Sequence, residues 1–344
     1  FPVTRSLYLM FDAARAAGLP MLGGVDIFVP SASGVVRAHY WAAGWPARDP
    51  HDQLEHPAQL RPNGKKTDAA TIVILPGFTE FCEKYSSSVL RLHQSGHNVL
   101  IIDWPGQGLS GHYGKNPLAV HCNNFSVYLA ALDAVIEAAG LGQDQLFLFG
   151  HSMGAHLALR YTARRPSHSL GVILSAPMMA PPVMPVWLIR RFSSFLLGVG
   201  LGHAYPPFHR VPELDWVRRY RPDNKLTRWP QGYESQFFWF DDMPELRRSG
   251  PTIGWVNAAY RSSAQFTLNV SWLRSIQVPV LAFVAGDERI VSAAATDYAL
   301  PFIQQIDRHD FAGARHELLH ELPEVTDQLW AFLLAFIEKN RAPY

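Results

Sequence analysis

The sequence predicts an α/β fold, with a doubly wound and mostly parallel sheet that is interrupted by an inserted cap (lid) region. Short apolar runs alternate with segments of helical length, which is typical of parallel strands covered on both faces. One such run leads into Gly150-His-Ser-Met-Gly154 and then into a segment rich in Ala and Leu. The alternation stops after Leu174 and resumes only at Val280, a gap too long for an ordinary connection. That gap predicts a structured insertion.

Each element follows from a local pattern. Val25–Val29 and Val35–Trp41 predict an opening antiparallel hairpin, and the polar segment Asp49–Ala69, with its Pro and Gly residues, predicts a surface loop. The parallel strands are predicted at Thr71–Leu75, Asn98–Ile102, Gln145–Phe149, Leu170–Leu174, Val280–Ala285 and Gln305–Phe311. The helices are predicted at Glu83–Ser95, Asn124–Ala139, Met153–Arg164 and Leu319–Lys339.

The domain boundaries follow from the same gap. We expect residues 1–176 to form the first part of the core, residues 177–270 the inserted cap, and residues 271–344 the second part of the core. The cap is rich in aromatic residues: Trp187, Phe192, Phe195, Trp216, Trp229, Phe237, Phe238, Trp239 and Trp255. Some of these must form a small core of the cap itself, and the rest predict contact with an apolar ligand.

Composition excludes several classes of protein. The 344 residues carry 30 Lys and Arg against 29 Asp and Glu, so a net charge of +1 gives no reason to expect a nucleic-acid partner. Cys82 and Cys122 have neither metal-ligand spacing nor a disulfide framework, and we expect two unpaired thiols in a reducing compartment. These features predict a cytoplasmic protein without a bound metal.

Two apolar stretches resemble membrane spans, residues 170–189 and 192–209. The first contains four prolines and the second contains three glycines and two prolines, which would leave backbone groups unpaired in lipid. Neither is expected to cross a membrane. Their apolar side chains instead indicate peripheral contact with the inner face of a membrane, made through the cap.

Ser152 is the predicted nucleophile. A strand that runs into Gly-x-Ser-x-Gly and then into a helix forms a sharp turn, which strains the serine and exposes its hydroxyl above the carboxyl end of the sheet. Gly150 and Gly154 lack Cβ atoms, so that strand and helix can approach closely. The motif by itself occurs by chance, but the strand–turn–helix context makes it specific.

A serine hydroxyl needs a base, and the base needs an orienting acid. Asp287 follows the predicted strand Val280–Ala285, and His316 lies in the loop after the last strand, so the order serine, acid, histidine is that of this topology. We predict the triad Ser152–Asp287–His316.

Neighbouring residues are weaker candidates. His151 adjoins the nucleophile and is expected to be structural, His156 to be packed in the following helix, and His320 to lie within the last helix. Glu288 could replace Asp287 only if the turn shifted by one residue.

The oxyanion of the tetrahedral intermediate needs two donors, usually backbone N–H groups. One is predicted at Met153, directly after the nucleophile. The other is predicted at Phe78, in the loop Leu75-Pro-Gly-Phe-Thr-Glu80 after the third strand. An ordinary Pro-Gly turn is the alternative interpretation of that loop.

These segments together resemble the bacterial lysophospholipases and monoacylglycerol-lipase-like enzymes of the α/β-hydrolase superfamily. The resemblance spans most of the chain. It rests on Leu75-Pro-Gly-Phe-Thr-Glu-Phe-Cys-Glu-Lys-Tyr85, Asp103-Trp-Pro-Gly-Gln-Gly-Leu-Ser110, Gly150-His-Ser-Met-Gly154, Ala285-Gly-Asp-Glu-Arg-Ile-Val291, Ala314-Arg-His-Glu317, Asp223-Asn-Lys-Leu-Thr227 and Gly250-Pro-Thr-Ile-Gly-Trp255. The last two lie in the insertion and distinguish this group from generic esterases. Pro76 departs from the wider superfamily, in which many members have His.

The resemblance implies a serine hydrolase that cleaves single-chain lipid esters, lysophospholipids or monoacylglycerols, through an acyl-enzyme and without a cofactor. Two alternatives remain open. The substrate could be another acyl compound, such as a short ester, a thioester or a peptide amide. The fold could also serve as a non-catalytic binder, although its usual sign, a missing triad residue, is absent from this sequence.

Overall fold

A computed structural model of the chain describes residues 24–31, 34–43, 69–111, 116–182, 185–207 and 209–341. The predicted surface loop Asp49–Ala69 lies outside these residues except for its last position.

Eight strands form one sheet in the order β1-β2-β4-β3-β6-β7-β9-β10. The first two strands form an antiparallel hairpin, β2 pairs antiparallel with β4, and the other pairs are parallel. The strand bounds, which include the short strands β5 and β8 outside this sheet, are β1 Val25–Ser31, β2 Gly34–Trp41, β3 Thr71–Leu75, β4 Asn98–Ile102, β5 Ala119–Val120, β6 Leu146–His151, β7 Ser169–Ser175, β8 Gly250–Pro251, β9 Val280–Ala285 and β10 Ile306–Phe311. The mostly parallel sheet confirms the predicted fold class.

The described helices connect and cover these strands. Their bounds are α1 Ser86–Gln94, α2 Ser126–Ala138, α3 Met153–Arg164, α4 Val186–Gly198, α5 Leu214–Arg218, α6 Pro230–Asp242, α7 Ile253–Gln265, α8 Val270–Arg274, α9 Ala293–Ala299 and α10 Pro323–Asn340. Two predicted helices are shorter than expected. Cys82–Tyr85 forms a 3₁₀ turn before α1, and Leu318–His320 forms another before α10. Pro323 is the first residue of α10, where a backbone N–H would have no acceptor within the helix, so its absence breaks no hydrogen bond.

The core is divided by the sheet into two layers. Successive residues of a strand point to opposite faces, so that Leu100 and Ile102 pack with α2 and α3, whereas Val99 and Ile101 pack with α1 and α10. Both faces are therefore apolar, which is why the strands appear as continuous apolar runs in the sequence. The carboxyl ends of the parallel strands remain free to carry the site.

The segment between β7 and β9 contains α4 to α8 and β8, and it contacts the core through polar groups. Arg248 donates to the carbonyl groups of Gly106, Gly108 and Gly111. Thr227 donates its hydroxyl to the carbonyl oxygen of His320, at 2.9 Å. β8 also pairs with β5, which belongs to the first part of the chain.

No helix of the described ranges is long and apolar enough to cross a membrane. Cys82 and Cys122 are both buried free thiols, as predicted.

Candidate active site

Ser152 lies at the sharp turn between β6 and α3. Its backbone has φ 53° and ψ −115°, a left-handed conformation that is rare for a residue with a side chain. Hydrogen bonds hold the turn in place: the N–H of Ser152 donates to the carbonyl oxygen of Ser175, and the N–H of Met178 donates to the carbonyl oxygen of Ser152. This is the strained elbow that the motif predicts.

The two glycines of the elbow are required by close backbone contacts. A Cβ on Gly154 would lie 1.8 Å from the carbonyl oxygen of Leu75, and one on Gly150 would lie 2.4 Å from the carbonyl oxygen of Gly154. Neither oxygen can move away, because both belong to the backbone of regular elements. The helix therefore starts tight against the sheet, with its amino terminus beside Ser152.

His316 lies in the loop after β10 and is paired with Glu288. Its Nδ1 is 2.8 Å from Oε2 of Glu288, and both side chains are almost fully buried. The other carboxylate oxygen, Oε1, accepts the backbone N–H groups of Ile290 at 2.7 Å and Val291 at 3.2 Å.

The ionisation state of Glu288 sets the tautomer of His316. Burial raises the pKa of this carboxyl, but the hydrogen bond and charge of His316 and the two backbone N–H groups outweigh burial, so its pKa is lowered from the ordinary value. An ionised carboxylate can only accept hydrogen bonds, so Nδ1 carries the proton. The other ring nitrogen, Nε2, is then unprotonated, as a general base requires.

The structure corrects the predicted acid. The carboxylate of Asp287 accepts from the guanidinium of Arg289 at 2.7 and 2.8 Å and from Arg315 at 3.4 Å, and a third of its side chain is exposed. Its pKa is lowered, first by the hydrogen bonds from Arg289. Two arginines thus bind the carboxylate of Asp287, which is partly exposed, whereas the N–H groups of Ile290 and Val291 bind the buried carboxylate of Glu288. Asp287 is therefore not the partner of His316.

Ser152 and His316 are both buried, at 5% and 3% exposure, at the same edge of the sheet. No hydrogen bond joins the Ser152 hydroxyl to the His316 ring within the described part of the chain. Such contacts often shorten only when substrate is bound.

The loop after β3 carries the predicted second oxyanion donor. The ring of Phe78 packs against Trp255, with 4.2 Å between ring centroids. Among the hydrogen bonds of the described residues none is donated by the N–H of Phe78, and Met153 opens α3, where N–H groups have no acceptor within the helix. Both predicted donors are thus free for a ligand atom, and their role stays a prediction.

Side chains that the sequence analysis did not single out hold this loop. Glu80 accepts the N–H of Gly77 and, at 2.5 Å, the hydroxyl of Tyr85. Gln107 donates to the carbonyl oxygen of Gly77 at 3.0 Å, and Trp104 donates to that of Pro76 at 2.8 Å. Pro76, which takes the place of the His found in many relatives, is thus fixed through its carbonyl oxygen.

A buried ion-pair cluster includes His151, the residue before Ser152. The ammonium of Lys84 is 2.5 Å from Glu80 and 2.7 Å from Glu317, and the imidazole of His151 lies within 4 Å of both carboxylates. Burial raises the pKa values of the two carboxyls, but the charge of Lys84 outweighs it, so both are lowered. Burial lowers the pKa of His151. The cluster connects the oxyanion loop, the elbow and the loop of His316.

The geometry of Glu80, His151 and Glu317 would also suit a metal ion, since one ligand atom from each lies within 4.8 Å of the others. The ammonium of Lys84 already lies between the two carboxylates, at hydrogen-bond distance from each, and offsets one of their two negative charges. We therefore interpret the cluster as an ion-pair network.

The other histidines have the structural roles that were expected, with one change of position. His156 is buried and bonds to the hydroxyl of Ser262 at 2.5 Å. His320 lies in the 3₁₀ turn before α10 rather than within the last helix, and its Nε2 is 3.3 Å from the carbonyl oxygen of Lys84. Glu317, a member of the ion-pair cluster, could have been singled out in the sequence because it directly follows His316.

Sequence comparisons relate this chain to known hydrolases. A family model named Hydrolase_4 and described as "Serine aminopeptidase, S33" matches residues 66–323. Lysophospholipase L2 of Escherichia coli is 26% identical over 79% of this chain and 81% of its own length.

Two solved structures share the fold. A soluble variant of monoglyceride lipase from Saccharomyces cerevisiae, in complex with a substrate analog, has a TM-score of 0.67 at 12% identity and covers 93% of this chain and 96% of its own. A thermostable carboxyl esterase from Bacillus coagulans, in complex with glycerol, has a TM-score of 0.66 at 15% identity, with 94% of this chain and 100% of its own covered. The expected α/β-hydrolase fold is confirmed.

Proposed function

This chain belongs to the Hydrolase_4 family of serine hydrolases, and we propose that it hydrolyses single-chain lipid esters through an acyl-enzyme on Ser152. The proposed substrates are lysophospholipids or monoacylglycerols. The names of the similar proteins, a lysophospholipase and a monoglyceride lipase, support this class. The observation that carries the chemistry is the buried Glu288–His316 pair beside a strained serine.

In the proposed acylation step, Nε2 of His316 takes the proton of the Ser152 hydroxyl while the oxygen attacks the ester carbonyl carbon. Glu288 stabilises the imidazolium that forms. His316 then donates this proton to the leaving alcohol oxygen as the carbon–oxygen bond breaks. The products of this step are the alcohol and an acyl ester of Ser152.

In the proposed deacylation step, a water molecule takes the place of the alcohol. His316 removes a proton from the water, whose oxygen attacks the acyl carbon, and the proton returns to the Ser152 oxygen as the fatty acid leaves. The N–H groups of Met153 and Phe78 are the proposed donors to the oxyanion in both steps, and each is worth about 10²–10³ in rate. No metal or cofactor is needed for these steps.

We propose that residues 177–270 cover the site as a cap and that the acyl chain packs near the Phe78–Trp255 contact. Trp255 lies in the first turn of α7, a helix of the inserted segment. Its ring also lies 5.6 Å from that of Phe125, so three aromatic rings meet beside the loop that carries Phe78. Each buried methylene is worth about 0.8 kcal/mol, so kcat/KM should rise with acyl length until the site is filled.

The test combines covalent labelling with a substrate panel. A fluorophosphonate probe should label Ser152, found by peptide mass spectrometry, and Ser152→Ala should abolish both labelling and turnover. Ser263→Ala, at another buried serine, is the matched control and should keep both. Labelling elsewhere, or turnover by Ser152→Ala, contradicts the assignment of the nucleophile.

The panel separates substrate classes. p-Nitrophenyl esters from acetate to decanoate, a lysophosphatidylethanolamine and a monoacylglycerol test the lipid proposal, and an aminoacyl p-nitroanilide tests the peptidase activity that the family description names. Equal cleavage of acetate and decanoate esters would replace the lipid proposal by a small-ester esterase.

We also propose that the enzyme works from the cytoplasmic side and contacts the inner face of the membrane through the cap. The unpaired thiols of Cys82 and Cys122 support a reducing compartment.

A further inference from the structure

Helix α4, Val186–Gly198, presents its apolar stripe to solvent. Leu188, Phe192, Phe195 and Val199 follow the i, i+4, i+7, i+11 spacing of one helix face, and their exposed fractions are 48%, 51%, 65% and 56%. In a globular protein such a stripe normally faces the core. An exposed stripe of this size marks a binding surface.

The opposite face of α4 is attached to the protein by polar contacts. Val186 and Ser193 are the buried residues of this helix, and the amide of Asn257 on α7 donates to the hydroxyls of Ser193 and Ser194, each at 2.9 Å. Ile189 also packs, partly buried, against the core, so the inward face combines apolar and polar contacts while the apolar stripe faces outward. Which apolar face of α4 is covered is therefore a property of the packed structure.

A cationic cavity of about 570 Å³ adjoins the stripe. It is lined by Trp187, Arg190, Arg191, Ser194 and Arg261. The three arginines are exposed, and none of them forms an ion pair with any residue in the ranges that the structure describes. Three guanidinium groups without a carboxylate among them favour an anion, and guanidinium forks suit phosphate oxygens.

We propose that α4 and Arg261 form a docking site for an anionic phospholipid bilayer. The arginines bind lipid phosphates, Trp187 lies at the level of the headgroups, and Phe192 and Phe195 enter the acyl region. A second copy of this chain fits less well, because a two-fold contact through this face would bring two sets of three arginines together. The inference deepens the proposed lipid substrate and rests on it, since it states where the enzyme meets that substrate.

The experiment measures vesicle binding by flotation, using Ser152→Ala so that no lipid is consumed. Vesicles are phosphatidylcholine alone or phosphatidylcholine mixed with phosphatidylglycerol. We expect tighter binding to the anionic vesicles, which weakens as salt is added. Replacing Arg190, Arg191 and Arg261 by Gln should lower that affinity about a hundredfold.

The matched control removes three charges from exposed positions elsewhere, Lys225→Gln, Arg274→Gln and Lys339→Gln, and should change binding less than about threefold. Phe192→Ser with Phe195→Ser should remove binding to both kinds of vesicle. The thermal midpoint of each variant is measured as a check on folding. The same substitutions are also made in the protein that retains Ser152, and turnover of a short soluble ester is measured there. These two checks separate loss of docking from loss of the fold or the chemistry.

Three results would overturn the proposal: equal binding to both kinds of vesicle, equal losses in the two charge triplets, or no vesicle binding together with a dimer that the double Phe variant dissociates. The last result would assign the face to a second copy of the chain. Because binding is measured without turnover, failure of docking leaves the proposed hydrolysis standing, and failure of hydrolysis leaves docking measurable.

Discussion

Replacing Glu288 by Gln is the sharpest test of the site, because Gln has nearly the same shape and differs in one group. Oε1 of Glu288 accepts two backbone N–H groups, from Ile290 and Val291. The amide oxygen of Gln must take that place, since an amide NH₂ there would face two donors. The NH₂ group then occupies the position of Oε2, 2.8 Å from Nδ1 of His316.

An NH₂ group at that position donates to Nδ1 and stabilises the tautomer with the proton on Nε2. That tautomer cannot accept the proton of Ser152, so the expected loss in kcat is about 10⁴-fold, the loss known for the corresponding change of a triad Asp to Asn. This equals about 5.4 kcal/mol of activation free energy. Folding should be little changed, because shape and burial are kept.

Asp287→Asn is the matched control. It removes the two ion pairs of a partly exposed carboxylate, with Arg289 and with Arg315, and exposed pairs are worth about 0.2–1 kcal/mol each. We expect kcat within a few-fold of wild type. The assay is single-turnover and steady-state hydrolysis of p-nitrophenyl decanoate, with the thermal midpoint measured for both variants. Glu288 is not the acid of the site if kcat falls thousands-fold in Asp287→Asn while a folded Glu288→Gln stays near wild type.

Two further predictions concern stability. Gly154→Ala should lower the free energy of unfolding by at least about 1–3 kcal/mol, since its Cβ would overlap a backbone oxygen at 1.8 Å, whereas Gly198→Ala, with nothing within 4 Å, should be neutral or stabilising by up to about 1 kcal/mol in urea titrations. Equal effects of the two changes would show that the contact at the elbow is not tight. Burial, and then the charge of Arg160, lower the pKa of His156 from 6.5 to about 3. Below pH 6.5 the unfolded chain therefore binds a proton at His156 that the folded chain does not bind. The contribution of His156 to the free energy of unfolding is present above pH 6.5 and is lost as the pH falls toward 3. The unfolding free energy of wild type should therefore fall, relative to that of His156→Gln, as the pH decreases from 6.5 to 4. A difference between the two proteins that does not change over this pH range would contradict the prediction.

The sequence by itself determined the sheet and the position of the strained turn at Ser152, because both depend on local patterns. Apolar runs such as Thr71–Leu75 and Val280–Ala285 coincide with strands to the residue. Gly-x-Ser-x-Gly is equally local, since its turn needs only a strand, two glycines and a helix in succession. The loop that carries His316 follows from the strand order.

Only the tertiary structure decided which of two adjacent acids bonds to His316. Asp287 and Glu288 are adjacent and differ by one methylene, and no periodicity distinguishes them. Asp287 is held by Arg289, two residues along the chain, and by Arg315. Glu288 is held by the N–H groups of Ile290 and Val291, two and three residues along. These bonds depend on the backbone conformation of the turn, which the residue pattern of a single sequence does not specify.

The same limit applies to the ion-pair cluster and to the cap. Lys84 and Glu317 meet although 233 residues separate them. The spacing of Leu188, Phe192 and Phe195 predicts an amphipathic helix but not which side is covered. In the structure the covered side is the one that carries Val186, Ile189 and Ser193. Local pattern determines the type of an element, whereas its orientation is decided by which neighbours it meets when the whole chain packs.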